Sequence, residues 1–106
     1  MKTGDVIELV EDTVKEIVTK SKTRYIMLKT KRLVHVNPRL RTATVPKVGW
    51  ALSYVLWKYQ QQGLVKILYE KKGHTAKFYI YVTDTYYEQL EKQLQPQTQA
   101  PTPTTS

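Results

Sequence analysis

The stretch from Pro46 to Val82 constrains the fold most, because the spacing of its apolar residues changes period once and sharply. From Pro46 to Gln62 the chain keeps helical spacing, with Leu52, Val55, Leu56 and Tyr59 on one stripe. Proline suits the first turn of a helix, where its missing N–H loses no partner, and Gly63 suits the position just past the end. Two hydrophobic runs follow, Val65–Tyr69 and Ala76–Val82, separated by Glu70-Lys71-Lys72-Gly73-His74-Thr75, and they predict a β-hairpin with a basic tip. In the second run Phe78, Ile80 and Val82 alternate with Lys77, Tyr79 and Tyr81, giving the strand a core face and a face of cation and phenol.

Upstream, Val6, Ile7, Val10, Val14, Ile17 and Val18 predict a first helix over about residues 5–19, with Asp5 and Glu8 spaced as a capping box. Its acids cluster in the first turns, where the helix dipole favours them, so they have a structural explanation and do not suggest a carboxylate active site. Residues 21–36 are harder to read. Tyr25-Ile26-Met27-Leu28 fits either a short basic helix or a strand, and Leu33-Val34-His35-Val36 reads as more strand-like, so a helical turn followed by a short strand is expected. Asn37-Pro38 breaks the chain, and Arg39 to Thr44 forms a basic connection or one short helix. After the hairpin, Thr85 and Glu88 have capping-box spacing, and Tyr86, Tyr87, Leu90 and Leu94 mark one face of a last helix over about residues 85–95. Residues 96–106, rich in Gln, Pro and Thr, are expected to be disordered.

Charge narrows the function. The 106 residues carry 17 Lys and Arg against 9 Asp and Glu, a formal net charge of +8. From Ile17 to Tyr69 there is no acid at all, while Lys20, Lys22, Arg24, Lys29, Lys31, Arg32, Arg39, Arg41, Lys47, Lys58 and Lys66 fall inside that stretch. A surface that only needs solubility interleaves both signs, whereas a one-sign stretch repels itself unless a counter-charge arrives. Phosphate is the natural counter-charge, so a nucleic-acid partner is expected.

Other chemistries find little support. Without cysteine there is no disulfide, thiol nucleophile or zinc knuckle, and with only His35 and His74 little remains for a metal site. His35 is read as a strand residue, and no cofactor is expected. No nucleophile–base pair, P-loop or dinucleotide fingerprint appears, so the chain is not read as an enzyme. No apolar run approaches the roughly 20 residues that span a bilayer, and Met1-Lys2-Thr3-Gly4-Asp5 lacks the features of a signal peptide. The expectation is a soluble cytoplasmic protein without a membrane partner, nucleoid-associated if it binds DNA. Absent cysteine beside abundant lysine and tyrosine is compatible with a thermophilic, archaeal source.

The order helix, basic segment with a short strand, helix, Gly63-Leu64-Val65, hairpin resembles that of a winged helix-turn-helix domain. Val45 to Val65 is similar to that family's recognition helix and its exit into the wing, and the resemblance covers about residues 5–82. It implies an α+β winged helix-turn-helix fold of three or four helices, with a C-terminal β-hairpin wing and an added C-terminal helix, forming one domain over residues 1–95. A clear middle helix is missing, since the segment from Val36 to Val45 is short and rich in Pro and Arg. The first part of the helix-turn-helix is therefore a single turn or displaced to residues 22–32.

The resemblance implies that Lys47, Trp50, Ser53, Tyr54, Trp57 and Lys58 face a DNA major groove. It places Lys71, Lys72 and His74 at an adjacent groove or its phosphates, and Arg39 and Arg41 on the backbone at the other side. Trp50, Tyr54 and Trp57 form a second apolar stripe opposite the first, so the helix is apolar nearly all round. That stripe is either buried in the chain or a partner, or else stacks on unpaired bases and touches thymine methyl groups.

Three functions follow from these residues. The first is a duplex-DNA-binding transcription regulator or chromatin-associated protein, dimeric through the first helix or the Tyr86/Tyr87/Leu90/Leu94 face. The second is an RNA or single-stranded nucleic-acid binder using Trp and Tyr stacking. The third is a winged-helix protein-interaction module in transcription or replication machinery.

Overall fold

α1 (Thr3–Lys20) forms on the expected apolar spacing, and Val6, Val10, Val14 and Val18 are fully buried along it. It starts two residues earlier than the capping-box spacing suggests. Lys2 occupies the N-cap without a side-chain bond, so Asp5 acts only as a first-turn acid near the positive end of the helix. These features come from the computed structural model, which describes residues 2–72 and 75–94. The tail expected to be disordered, 96–106, and His74 lie outside the described residues.

The segment after α1 reverses the expected order. β1 (Tyr25–Lys29) comes first and α2 (Thr30–Val36) second. Ile26 and Leu28 alternate inward from β1, opposite Ile80 and Phe78, and this cross-strand burial decides the strand. In α2 the strand preference of Val34 and Val36 is overridden, because Leu33 is buried in the core and both valines pack against it. A 3-10 helix (Pro38–Thr42) follows with Leu40 buried. Asn37 fixes this junction: its Nδ2 donates to Thr13 Oγ1 on α1 at 3.1 Å, and its Oδ1 accepts from Arg39 N at 3.2 Å.

α3 (Val45–Gln61) has Pro46 in its first turn, and Thr44 caps it by accepting from Lys47 N. Leu52, Val55, Leu56 and Tyr59 face the core, each aliphatic contributing about 1.5–3 kcal/mol of burial. The helix ends in a Schellman arrangement. Gly63 N donates to Gln60 O at 3.0 Å and Leu64 N to Tyr59 O at 2.9 Å, with Gly63 at φ 75°.

β2 (Val65–Lys71) and β3 (Lys77–Val82) form the hairpin, and β1 adds to the far side of β3, giving an antiparallel sheet of order β1-β3-β2. A bulge between Ile67 and Tyr69 leaves Leu68 unpaired and half-exposed. α4 (Asp84–Leu94) begins at Asp84 rather than through a Thr85 cap. Thr83 makes that joint, its hydroxyl 2.6 Å from Gly63 O and 2.8 Å from Leu64 O with one proton shared between them.

The described chain is thus an α+β arrangement of four α-helices and a three-stranded antiparallel sheet. Much of the apolar surface of α1 and α4 is buried within one chain among the described residues. The valines of α1 lie in the core, and Tyr86 and Leu90 of α4 join them while Tyr87 is half-buried. Among the described residues no helix is long and apolar enough to cross a membrane.

Gly63 gives the sharpest test of this framework. An alanine there meets open space yet must hold a left-handed backbone, so Gly63→Ala should destabilise the fold by about 1–2 kcal/mol in denaturant unfolding.

Candidate nucleic-acid interface

At Gly49 the start of α3 comes close to two other segments. A Cβ built there would lie 3.4 Å from Ala76 Cβ and 3.4 Å from Thr30 Oγ1. This approach brings together the start of α2, the start of α3 and the residues leading into β3. Two adjacent clefts open around them. One, of about 490 Å³, is lined by Lys31, Val34, His35, Arg41, Val45 and Thr75, with the buried, unpartnered hydroxyl of Thr30 also in its wall. The other, of about 330 Å³, runs between α3 and the hairpin past Pro46, Trp50, Ser53 and Lys72.

Electrostatically this end of the protein is one-sided. α3 has no acid in its first turn and carries Lys47 there, although the exposed N–H groups of a helix start favour negative charge. Among the described residues, no carboxylate pairs with Lys31, Arg39, Arg41 or Lys47. Arg41 opens into the first cleft, whereas Arg39 lies exposed on another side of the 3-10 helix, with buried Leu40 between them.

The aromatic stripe of α3 is open to solvent, Trp50 at 52%, Tyr54 at 47% and Trp57 at 42% exposure. Trp50 and Tyr54 stack on each other at 5.7 Å between ring centres. Trp57 is held differently. Its Nε1 donates to Glu70 Oε2 at 3.1 Å, and the same oxygen lies 3.6 Å from Lys72 Nζ. Glu70, the one acid of the hairpin strands, thereby ties α3 to the hairpin and partly neutralises Lys72.

Two expected contact residues stand apart from this end. Lys58 leans toward α1, where its Nζ lies 3.1 Å from Glu11 Oε1, and Tyr59 OH donates to the other oxygen of the same carboxylate at 3.1 Å. Lys71 belongs to the outer face of the sheet, opposite Lys77, while Lys72 turns into the groove beside Trp50. Lys31 and His35 were not among the expected contact residues, although the cleft they line is the largest at this end. The signal that could have found them is the pair Lys31-Arg32 directly after a β1–α2 boundary, which becomes visible only once that boundary is known. Among the described residues no three His, Asp or Glu side chains gather to hold a metal ion.

The Glu11 cluster has its own pH signature. Burial pushes the Tyr86 phenol up to about 12, and burial raises the Tyr59 phenol well above its ordinary range, with the Glu11 carboxylate adding to both. Folding therefore favours the neutral phenols. The stability they contribute is complete below about pH 10, the unfolded value, and is lost as pH rises through about 12. In an alkaline titration of phenolate absorbance, Tyr59 and Tyr86 should ionise last and together with unfolding. Among the described residues no hydrogen bond of good geometry reaches the buried Tyr86 Oη, on a ring that packs against that of Tyr59, so Tyr86→Phe should remove one late transition and change stability by less than about 1 kcal/mol in denaturant unfolding. No protein-family model, curated protein or solved structure matches this chain.

Proposed function

We propose that this protein is a winged helix-turn-helix binder of double-stranded DNA, with α2, the 3-10 helix and α3 as the helix-turn-helix and the β2–β3 hairpin as the wing. The element order and the β1-β3-β2 sheet agree with that arrangement. One observation carries the reading: Lys31, Arg41, Lys47 and Lys72 gather around the positive end of α3, and only Lys72 has a carboxylate near it among the described residues. A row of phosphates offsets both the mutual repulsion of these cations and the dipole of the helix.

Side-chain chemistry divides the labour on such a duplex. Lys31, Arg41, Lys47 and Lys72 hold the backbone and supply affinity that is blind to sequence. Trp50 and Tyr54 present apolar edges, which meet thymine methyl groups but carry no paired donors for guanine or adenine. Ser53 is the one hydroxyl of the groove between α3 and the hairpin. The expected behaviour is tight, salt-sensitive binding with modest sequence preference.

Binding of a labelled duplex over a salt series tests this. Four phosphate contacts give a slope of about −3 to −4 in log K against log salt, and Arg41→Ala should lower affinity severalfold and reduce the slope by about 1. Glu70→Gln keeps an acceptor for the Trp57 indole while releasing Lys72, so it should raise duplex affinity about 2- to 5-fold. A salt-independent constant, or no response to Arg41→Ala, would rule the duplex reading out.

A further inference from the structure

The sheet has a second surface that the duplex reading leaves unused. Its inner face carries Ile26, Leu28, Phe78 and Ile80 into the core, so the residues between them point outward. Strand register arranges those outward residues in rows. Tyr25 lies opposite Tyr81, and Tyr81 opposite Lys66; Met27 lies opposite Tyr79, and Tyr79 opposite Tyr69. The last row is Lys29, Lys77 and Lys71 abreast.

Three lysines side by side across a sheet are unfavourable, because directly opposed like charges repel at Cβ separations of about 5 Å. No acid relieves them on this face. The one acid of the three strands, Glu70, pairs in register with buried Phe78, and its carboxylate is engaged on the inner side with Trp57 and Lys72. In the row next to the lysines stand the exposed phenol rings of Tyr69 at 48% and Tyr79 at 40%, and one row further along that of Tyr25 at 65%. They are grouped as Tyr25–Tyr81 and Tyr69–Tyr79, with ring centres 5.1 and 5.6 Å apart.

We propose that this face binds single-stranded DNA, its phosphates along the Lys29–Lys77–Lys71 row and its bases on Tyr25, Tyr79 and Tyr69. A lysine row answers a chain of phosphates, and rings exposed beside it offer stacking that every base accepts. Lys77 now lies 5.3 Å over the Tyr79 ring, so a bound strand takes both partners at once, phosphate for the ammonium and base for the ring. Half-buried Met27, the one thioether among the phenols and ammonium groups of the outward rows, offers the sugar an apolar contact that suits deoxyribose.

The test is anisotropy of labelled dT20, U20 and a 20-base-pair duplex against the full chain. Lys77→Glu places an acid between Lys29 and Lys71, so it should raise the melting temperature while lowering dT20 affinity more than tenfold. Tyr79→Ala should weaken dT20 about tenfold and Tyr79→Phe should restore it. Three phosphates on a single strand predict a salt slope near −2. Arg41→Ala, on the α3 side, should leave dT20 unchanged and weaken the duplex. An unchanged dT20 affinity in both Lys77→Glu and Tyr79→Ala would overturn the proposal, as would equal loss of dT20 and duplex or tenfold preference for U20. If Arg41→Ala spares the duplex while Lys77→Glu abolishes dT20 binding, the duplex reading fails and this one stands.

Discussion

The burial of α3 is the constraint from which both surfaces follow. Leu52, Val55, Leu56 and Tyr59 turn one side of that helix into the core, where α1 and the sheet pack on it. With that side fixed, Trp50, Tyr54 and Trp57 must face outward, and the missing side chain at Gly49 lets the first turns meet Thr30 and Ala76. Had residue 49 carried a branched side chain, the start of α2 and the entry to β3 would stand further from α3.

Charge is distributed to match. Acids sit near the chain's two ends and neutralise the cations that fold next to them: Glu16 with Lys20, Glu11 with Lys58, and Asp84 with Arg24. Asp84 holds the Arg24 guanidinium above its ordinary pKa, and the same guanidinium lies 5.0 Å from the centre of the Tyr87 ring. The Lys20–Glu16 and Arg24–Asp84 pairs are exposed and screened by solvent, so they add little to stability. Their consequence is selective. They neutralise the basic block where it touches α1 and α4 and leave it bare at the start of α3 and along the outer row of the sheet.

Much of the fold was legible in the sequence, and the reasons for the rest are local. α1, α3 and the hairpin could be read because their periodicity extends over enough residues to decide between helix and strand. The order of β1 and α2 could not. Five residues of strand and seven of helix are each too short to show a period, and their identity depends on pairing with Phe78 and Ile80, roughly fifty positions away. At the candidate site, the places of Arg41 before α3 and Lys72 at the end of the hairpin follow from element order, whereas the sequence left open whether the Trp50/Tyr54/Trp57 stripe is buried, and only the packing of the opposite stripe decides it. Lys58 could not be assigned correctly, because Glu11 is 47 residues distant and only the packing of α1 on α3 joins them.

Lys71 and Lys72 show how a short hairpin serves two surfaces. The sheet ladder ends at Lys71, which points with Lys77 and Lys29 away from the core. The next residue leaves the strand and turns to the opposite side, beside Trp50 in the groove. Glu70 stands just before both, on the inner side, and binds Trp57 and Lys72 but leaves Lys71 alone. One carboxylate therefore tempers the groove next to α3 and has no hold on the outer row, so the two faces differ in their net attraction for phosphate. Neighbouring cations on opposite sides of one strand end would hold a duplex and an unpaired strand on either flank of the hairpin, without either competing for the same side chains.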